Sequence, residues 1–263
     1  MRRLIVFFAV TAAISVSGQN RAKVNNSVEW FGTSSAVKLT PQFGIYLDGQ
    51  YRFAQGLESM QHQFRIAPEF YVNNKLTISP FGFVYVWNYL YGNQPTTYKN
   101  NEQRFYQELK YKHSIKRFTL THRFRTEERF IQTHTKADPQ QTPPEPSIDN
   151  GYNENVQFRI RYRVWANYAL NNEKLDPKTW YIPALVEGFM SWGKHNSYES
   201  KIDQLRFYTG IGYQINKAGN IQIGPFYQYL IKANGVQQEN NLGWYCQLNY
   251  NFDFTKKKPE PAK

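Results

Sequence analysis

The chain has 263 residues, of which 41% are hydrophobic and 17% aromatic, and its formal net charge is +12. One polar stretch alone interrupts the alternation of apolar and polar residues along the chain, so we expect one domain. The single cysteine, Cys246, excludes an internal disulfide and a metal site of several cysteines. The basic residues alternate with aromatic residues and form no separate basic patch, which argues against nucleic acid as a partner.

The first 18 residues have the pattern of a signal peptide. Arg2 and Arg3 precede an apolar run from Leu4 to Val16, and small residues follow it. Cleavage is predicted before Gln19. The apolar run is too short to cross a bilayer as a helix, and no later stretch approaches the ~20 apolar residues that a transmembrane helix needs. The sequence therefore predicts an exported chain without a transmembrane helix.

The stretch 156–170 reads VQFRIRYRVWANYAL and alternates between apolar and polar residues. Arg159, Arg161 and Arg163 fall on one side of a two-residue period, and most apolar residues fall on the other. A helix would distribute the arginines around its circumference, so this period predicts a strand. A strand of about 15 residues is much longer than average and suits one that crosses a ~30 Å hydrocarbon layer at a tilt.

The same period recurs along most of the chain. Short turns alternate with long polar connections, as in outer-membrane barrels with short periplasmic turns and long outside loops. Such barrels normally have an even number of strands, so we expect an all-β, antiparallel transmembrane β-barrel of 10 or 12 strands. Either a further strand lies in 19–27, or the stretch 28–39 lies outside the wall. The eleven strand candidates span about 28–38, 42–54, 60–72, 76–90, 101–113, 117–131, 153–170, 179–192, 202–215, 219–232 and 241–254.

The predicted connections between strands fall into short turns and long loops. The longest one, 132–152, contains four prolines and almost no large apolar residue, so we expect a flexible outside loop. Tight turns are predicted at 40–41, 73–75, 114–116 and 216–219, a somewhat longer one at 171–178, and long connections at 55–59, 91–100, 132–152, 193–201 and 233–240. The predicted segments are a signal peptide (1–18), an N-terminal segment (19–27), a β-barrel domain (28–254) and a basic C-terminal tail (255–263).

If each strand turns its apolar face outward, its ionisable side chains point into the barrel. Poorly solvated charges of this kind should pair across neighbouring strands in an ionic network. Twelve basic residues and six acidic residues point inward on this assignment, an excess of six positive charges. Apolar walls would focus that excess along the axis, so a solute path should favour small anions. The predicted network contains Arg123, Arg125, Glu127, Arg129, Arg159, Arg161, Arg163, Glu187, Arg206 and Glu108, and the rest of the inward set is Arg52, Arg65, Arg104, Lys110, Lys112, Asp48, Glu69 and Asp253.

Signals for catalysis or metal binding are weak. His195 and Ser197 lie in a predicted outside loop without an oriented third partner, so we assign them no catalytic role. The other four histidines lack metal-ligand spacing, and no metal site or cofactor is predicted. Gly210 and Gly212 share one strand face, where they would relieve crowding inside the barrel.

Several short motifs are spread along the chain. They are Trp30, GQYRF at 49–53, RF at 104–105, RFRTEERF at 123–130, RIRYR at 159–163, EGF at 187–189 and DQLRFYTGIGY at 203–213. Together these motifs resemble a family known as domain of unknown function 2490. The resemblance extends over about Val28 to Phe254 and implies an outer-membrane barrel, chiefly from bacteria of the Bacteroidota group. The family has no established activity, so the resemblance implies no catalytic residue and no ligand.

Three functions remain open at the level of the sequence. The first is a non-enzymatic protein of the bacterial outer membrane, either a narrow anion-favouring channel or a structural barrel without a pore. The second is a barrel enzyme that acts on lipid or lipopolysaccharide, and the third is a soluble periplasmic β protein that binds a ligand. For a membrane barrel, the expected partners are outer-membrane lipid, lipopolysaccharide and the barrel-insertion machinery, and the solute is not identified.

Overall fold

The computed structural model describes residues 21–91, 99–135, 148–193, 202–232 and 235–255. The predicted signal peptide, the central part of the longest loop, His195 and almost all of the basic tail lie outside these residues. All regular structure in the described part is β-strand: β1 (Ala22–Lys38), β2 (Phe43–Ala54), β3 (Glu58–Tyr71), β4 (Leu76–Asn88), β5 (Glu102–Ile115), β6 (Phe118–Thr135), β7 (Ile148–Ala169), β8 (Thr179–Gly193), β9 (Gln204–Thr209), β10 (Ile211–Gln214), β11 (Gly219–Ile231), β12 (Gln237–Tyr250) and β13 (Phe252–Asp253).

These thirteen segments make eleven wall strands of one closed barrel. Segments β9 and β10 are two parts of one wall strand, because both pair with β8 on one side and β11 on the other. Segment β13 continues β12 beyond Asn251 and pairs with β1. Each wall strand is hydrogen-bonded to both neighbours, and the sheet returns to its start where β12 pairs with β1. The predicted all-β barrel is confirmed.

The predicted number of 10 or 12 strands was wrong. The barrel has eleven wall strands, and it closes through a parallel pairing of β1 with β12 that runs from Ala22↔Gln237 to Ser34↔Asn249. All other described pairings in the wall, apart from the short continuation of this one in β13, are antiparallel. An odd number of up-and-down strands leaves the first and last strands pointing the same way, so closure has to be parallel. The sequence analysis allowed for a further strand in 19–27, but residues 22–27 are the first part of β1.

The connections divide the barrel into a turn end and a loop end. The turn end carries 39–42, 72–75, 116–117, 170–178 and 215–218, and the loop end carries the others. The predicted long connection at 55–59 is instead a tight turn, in which Gln55, Gly56 and Leu57 all have positive φ. Because the strand number is odd, the first and last described residues lie at opposite ends of the barrel: Arg21 at the loop end and Thr255 at the turn end.

Glycines in the wall allow neighbouring backbone and side-chain groups to approach closely. A Cβ on Gly210 would lie 2.2 Å from the carbonyl oxygen of Ile223, at the point where β9 gives way to β10. A Cβ on Gly212 would lie 2.2 Å from the ring of Tyr181. The predicted role of these two glycines in relieving crowding therefore fits the geometry. At the parallel pairing, a Cβ on Gly243 would lie 1.7 Å from the carbonyl oxygen of Val28.

Substitution Gly243→Ala should destabilise the barrel at its closure. The added methyl group overlaps backbone that cannot move without breaking the β1–β12 ladder, so we expect a loss of roughly 1–3 kcal/mol or more. Gly188→Ala is the matched control, because its Cβ would meet only Leu205 at 3.7 Å. Thermal melting followed by circular dichroism checks the prediction. Equal melting temperatures for the two variants would contradict the tight closure.

Candidate functional site

The interior of the barrel, here called the lumen, is lined by ionisable side chains because of the two-residue period of the strands. In β7, Arg159 and Arg161 are buried while the flanking Phe158 and Tyr162 are exposed on the outer surface. The same alternation buries Arg123, Arg125 and Glu127 in β6. Successive strand residues point to opposite faces, so charge collects inside and apolar surface outside.

Glu127 is at the centre of an ionic network between β6 and β7. Its carboxylate accepts hydrogen bonds from Arg161 Nη1 at 2.6 Å, from Arg159 Nε at 2.8 Å and from Arg125 Nη1 at 3.4 Å. The Glu127 side chain has no exposed surface. A buried carboxylate of this kind is stable only while its cationic partners remain, because each partner offsets the loss of hydration.

Two further carboxylates extend the network to the neighbouring strands. Glu187 on β8 pairs with Arg123, with Arg161 at 2.9 Å and with Arg206 at 3.6 Å. Glu108 on β5 accepts from Arg125 Nε at 2.5 Å and lies 3.6 Å from Arg123 Nε. Ion pairs therefore connect β5, β6, β7, β8 and β9 across the lumen.

Nine of the ten residues of the predicted network lie in ion pairs. Arg129 pairs with Glu102 at 2.5 Å, and the others pair as described above. The exception is Arg163, which forms no salt bridge to any described residue and whose guanidinium lies 5.3 Å from the centroid of the Trp165 ring. Arg163 still lines a cavity inside the barrel, so its charge remains in the lumen.

The sequence prediction missed three buried carboxylates, and it wrongly placed an exposed one, Asp253, inside the lumen. Glu102, Asp203 and Glu239 are 2%, 2% and 0% exposed. Glu102 shares the strand parity of Arg104, which should have placed it inside, whereas Glu239 lies in a stretch predicted as loop. Asp253 was predicted to face inward, but it lies beyond Asn251 at the turn end, is exposed, and accepts a hydrogen bond from the Thr255 hydroxyl at 2.6 Å.

Basic side chains outnumber carboxylates in the lumen. All twelve basic residues of the predicted inward set are buried or line a cavity, and the described part of the chain buries eight carboxylates. The twelve basic residues exceed the eight buried carboxylates by four positive charges. The eight carboxylates are Asp48, Glu69, Glu102, Glu108, Glu127, Glu187, Asp203 and Glu239.

Aromatic side chains fill the side of the lumen formed by β1, β8, β9, β11 and β12. Trp30 packs on Phe226 with ring centroids 4.1 Å apart, and Tyr245 meets Trp30 at 6.3 Å and Tyr208 at 5.4 Å. These rings belong to one buried cluster. They occupy space that water would otherwise fill and supply π faces to nearby guanidinium groups.

Two large cavities lie between the described residues inside the barrel. The turn-end cavity has a volume of about 460 Å³ and is lined by Lys112 and Arg163 among others. The loop-end cavity has a volume of about 420 Å³ and is lined by Arg104 and Arg129 among others. Arg52 and Arg206 line both cavities and therefore lie at their boundary.

The described residues contain no cluster of histidine, cysteine, aspartate and glutamate that could hold a metal ion. The described histidines line neither cavity, and His113 stacks on His122 on the outer surface. In the same part of the chain, no helix is long and apolar enough to span a membrane.

Fold and lumen together define a closed β-barrel with an ionic interior. Residues 29–240 match a family model described as Protein of unknown function (DUF2490). The match covers most of the chain, so the protein belongs to this family, as the sequence motifs indicated. No curated protein and no solved structure matches the chain.

Two arginine substitutions should separate paired from surplus charges. Arg125→Gln leaves Glu108 and Glu127 short of a buried partner, so we expect destabilisation by about 3–5 kcal/mol. Arg163→Gln removes a partly solvated cation without a carboxylate partner and should change stability by less than about 1 kcal/mol. Urea unfolding followed by tryptophan fluorescence measures both. A similar loss in the two variants would show that the ion pairs of Arg125 do not stabilise the fold.

Proposed function

We propose that this protein is a β-barrel of the bacterial outer membrane whose lumen provides a narrow, anion-favouring path. The observation that carries the proposal is the inverted distribution of side chains, with ion pairs buried and large apolar groups exposed. Phe124, Tyr162 and Trp244 are 45%, 51% and 59% exposed, while Arg125 and Glu127 are at most 2% exposed. Soluble proteins rarely expose a continuous apolar surface of this extent.

Two rows of aromatic side chains near the ends of the barrel support a membrane location. Aromatic girdles of this kind mark the two membrane interfaces in outer-membrane barrels. At the turn end, outward-facing contacts join Phe43 to Phe70, Phe118 to Tyr168, Trp180 to Tyr213 and Tyr250 to Phe252; at the loop end they join Tyr51 to His62, Tyr85 to Trp87, Phe158 to Trp192 and Phe207 to Tyr227.

The separation of the two rows fits the apolar layer of an outer membrane. Phe158 and Tyr168 lie ten residues apart on β7. At ~3.3 Å per residue and a tilt of about 40°, that separation corresponds to a height of about 25 Å. The apolar band of outer-membrane barrels is about 25 Å tall.

The orientation follows from the connections. Short turns of outer-membrane barrels face the periplasm and long loops face outward. The long connections, such as those between Asn88 and Glu102 and between Thr135 and Ile148, are at the loop end. We therefore propose that the loop end and Arg21 face outward and that the turn end and Thr255 face the periplasm.

The size and charge of the lumen favour a narrow anion path. Eleven strands leave room for side chains and little more, since open aqueous channels are typical of about 16 strands or more. The two cavities are large enough for several water molecules, and Arg52 and Arg206 lie between them. A net excess of positive charge inside apolar walls attracts anions and repels cations.

Planar-bilayer recording under a salt gradient tests this function. The folded barrel should insert and show a small conductance with anion preference. Because Lys112 and Arg163 line the turn-end cavity without forming salt bridges to described residues, replacing both by glutamine should lower the anion preference and leave the fold intact.

An unboiled sample that migrates differently from a boiled one on an SDS gel is the control for folding, because closed barrels resist SDS until heated. Cation preference, or no conductance from a barrel that passes this control, would contradict the anion path. A protein that remains in buffer without detergent and does not insert would contradict the membrane location.

A further inference from the structure

Arg52 differs from the other buried arginines of the wall strands. Arg65 pairs with Asp48 at 3.0 Å and Arg104 pairs with Glu102 at 2.7 Å. The buried arginines of β6 and β7 all pair with carboxylates too. Arg52 is only 6% exposed, yet no carboxylate of the described residues lies within salt-bridge distance of it.

Neutral groups surround the Arg52 guanidinium. Its Nη1 donates to Gln61 Oε1 at 2.5 Å and its Nη2 donates to Gln50 Oε1 at 2.6 Å. The centre of the guanidinium lies 4.0 Å from the centroid of the Trp30 ring. Its Nε is buried and has no hydrogen-bond partner. One donor of a fully charged group thus points into the protein interior without an acceptor.

Arg206, the second arginine beside Trp30, also lacks a close carboxylate partner. Arg206 lies 5.1 Å from the centroid of the Trp30 ring, and its side chain is 12% exposed. Its carboxylate contact is to Glu187, at 3.6 Å. Glu187 already pairs with Arg123 and Arg161 at shorter distances. Two guanidinium groups therefore lie near one indole ring. Of the two, only Arg206 has a carboxylate contact, to a Glu187 that also pairs with Arg123 and Arg161.

An arrangement of this kind is unfavourable without an anion. Removing a charged group from water is unfavourable unless a counter-charge and hydrogen bonds replace its hydration. Amide oxygens and an indole face replace only part of that hydration. A bound anion would supply the missing acceptor and the missing charge.

We propose that Arg52 and Arg206, next to Trp30, form a binding site for a small oxyanion. Guanidinium groups hold two oxygens of one carboxylate or phosphate through paired N–H groups, which a spherical halide cannot match. Because both arginines line both cavities, an oxyanion can reach the site from either end of the barrel. The site deepens the proposed anion path, but binding requires only a folded barrel.

Melting temperatures of the detergent-purified full chain test the site. Sodium phosphate, sodium acetate and sodium chloride are compared at equal ionic strength, and ligand that binds the folded state alone raises the melting temperature. We expect phosphate or acetate to raise it by several degrees above chloride, and the one with the larger effect identifies the class of oxyanion. Equal effects of all three salts would overturn the proposal.

Variants locate the effect. Arg52→Gln should abolish the oxyanion-specific rise and should melt no lower than the unmodified protein in chloride, because it removes an unpaired charge. Arg52→Lys keeps the charge but not the paired donors, and should weaken binding at least tenfold. Arg163→Gln is the matched control, since it removes an arginine that lines only the turn-end cavity, and it should keep the full rise.

The outcomes separate the site from the conducting function. An oxyanion-specific rise that persists in Arg52→Gln overturns the site. If Arg52→Gln does not fold, Arg206→Gln replaces it and should likewise abolish the oxyanion-specific rise. An oxyanion-specific rise in the melting temperature of a barrel that conducts no ions supports the site and contradicts the conducting path. Anion conductance without such a rise supports the conducting path and overturns the site.

Discussion

Closure of the wall is the constraint on which the rest of this structure depends. A sheet with open edges would leave the backbone groups of β1 and β12 unpaired, which is especially unfavourable in an apolar medium. With eleven wall strands the two edges run in the same direction, so they pair in parallel. Close contact at that pairing requires Gly243, because any side chain there would overlap the Val28 carbonyl. Closure also encloses the lumen, and enclosure is what makes its ion pairs strong and its unpaired charges unfavourable.

The enclosed charges have two different roles. Around Glu127 and Glu187, arginines from adjacent strands share carboxylates and thereby hold β6, β7 and β8 in register. At the boundary of the cavities, by contrast, Arg52 has amide and indole partners only. Ion pairing accounts for the burial of the arginines around Glu127 and Glu187. The positive charge at the boundary of the cavities is not fully neutralised by described carboxylates, and this excess is the physical basis for expecting anions in the lumen.

Much of the fold could be predicted from the sequence, because strand periodicity is a local property. All eleven strand candidates correspond to wall strands, and the parity of the residues placed Arg125 and Arg161 inside. The direction of closure could not be predicted, since a two-residue period carries no information about the neighbouring strand. The lack of a carboxylate beside Arg52 could not be predicted either. Ion pairs can join strands that are not adjacent, as Lys110 on β5 and Glu69 on β3 do, so the partners of a given arginine follow only from the three-dimensional arrangement. Glu239 was missed because its strand begins earlier than its polar sequence suggests.

The parallel closure can be tested with the native cysteine. Phe31 is the register partner of Cys246, and Phe31 is exposed on the outer surface. Paired strands lie about 4.8 Å apart, which is within the range for a disulfide. Oxidation of a Phe31→Cys variant should therefore form an intrachain disulfide, which changes migration on a non-reducing gel. Ser35→Cys is displaced by four residues, or about 13 Å along the strand, and should remain reduced. Crosslinking of Phe31→Cys alone is the result that this structure predicts; no crosslink there, or equal crosslinking of both variants, would contradict it.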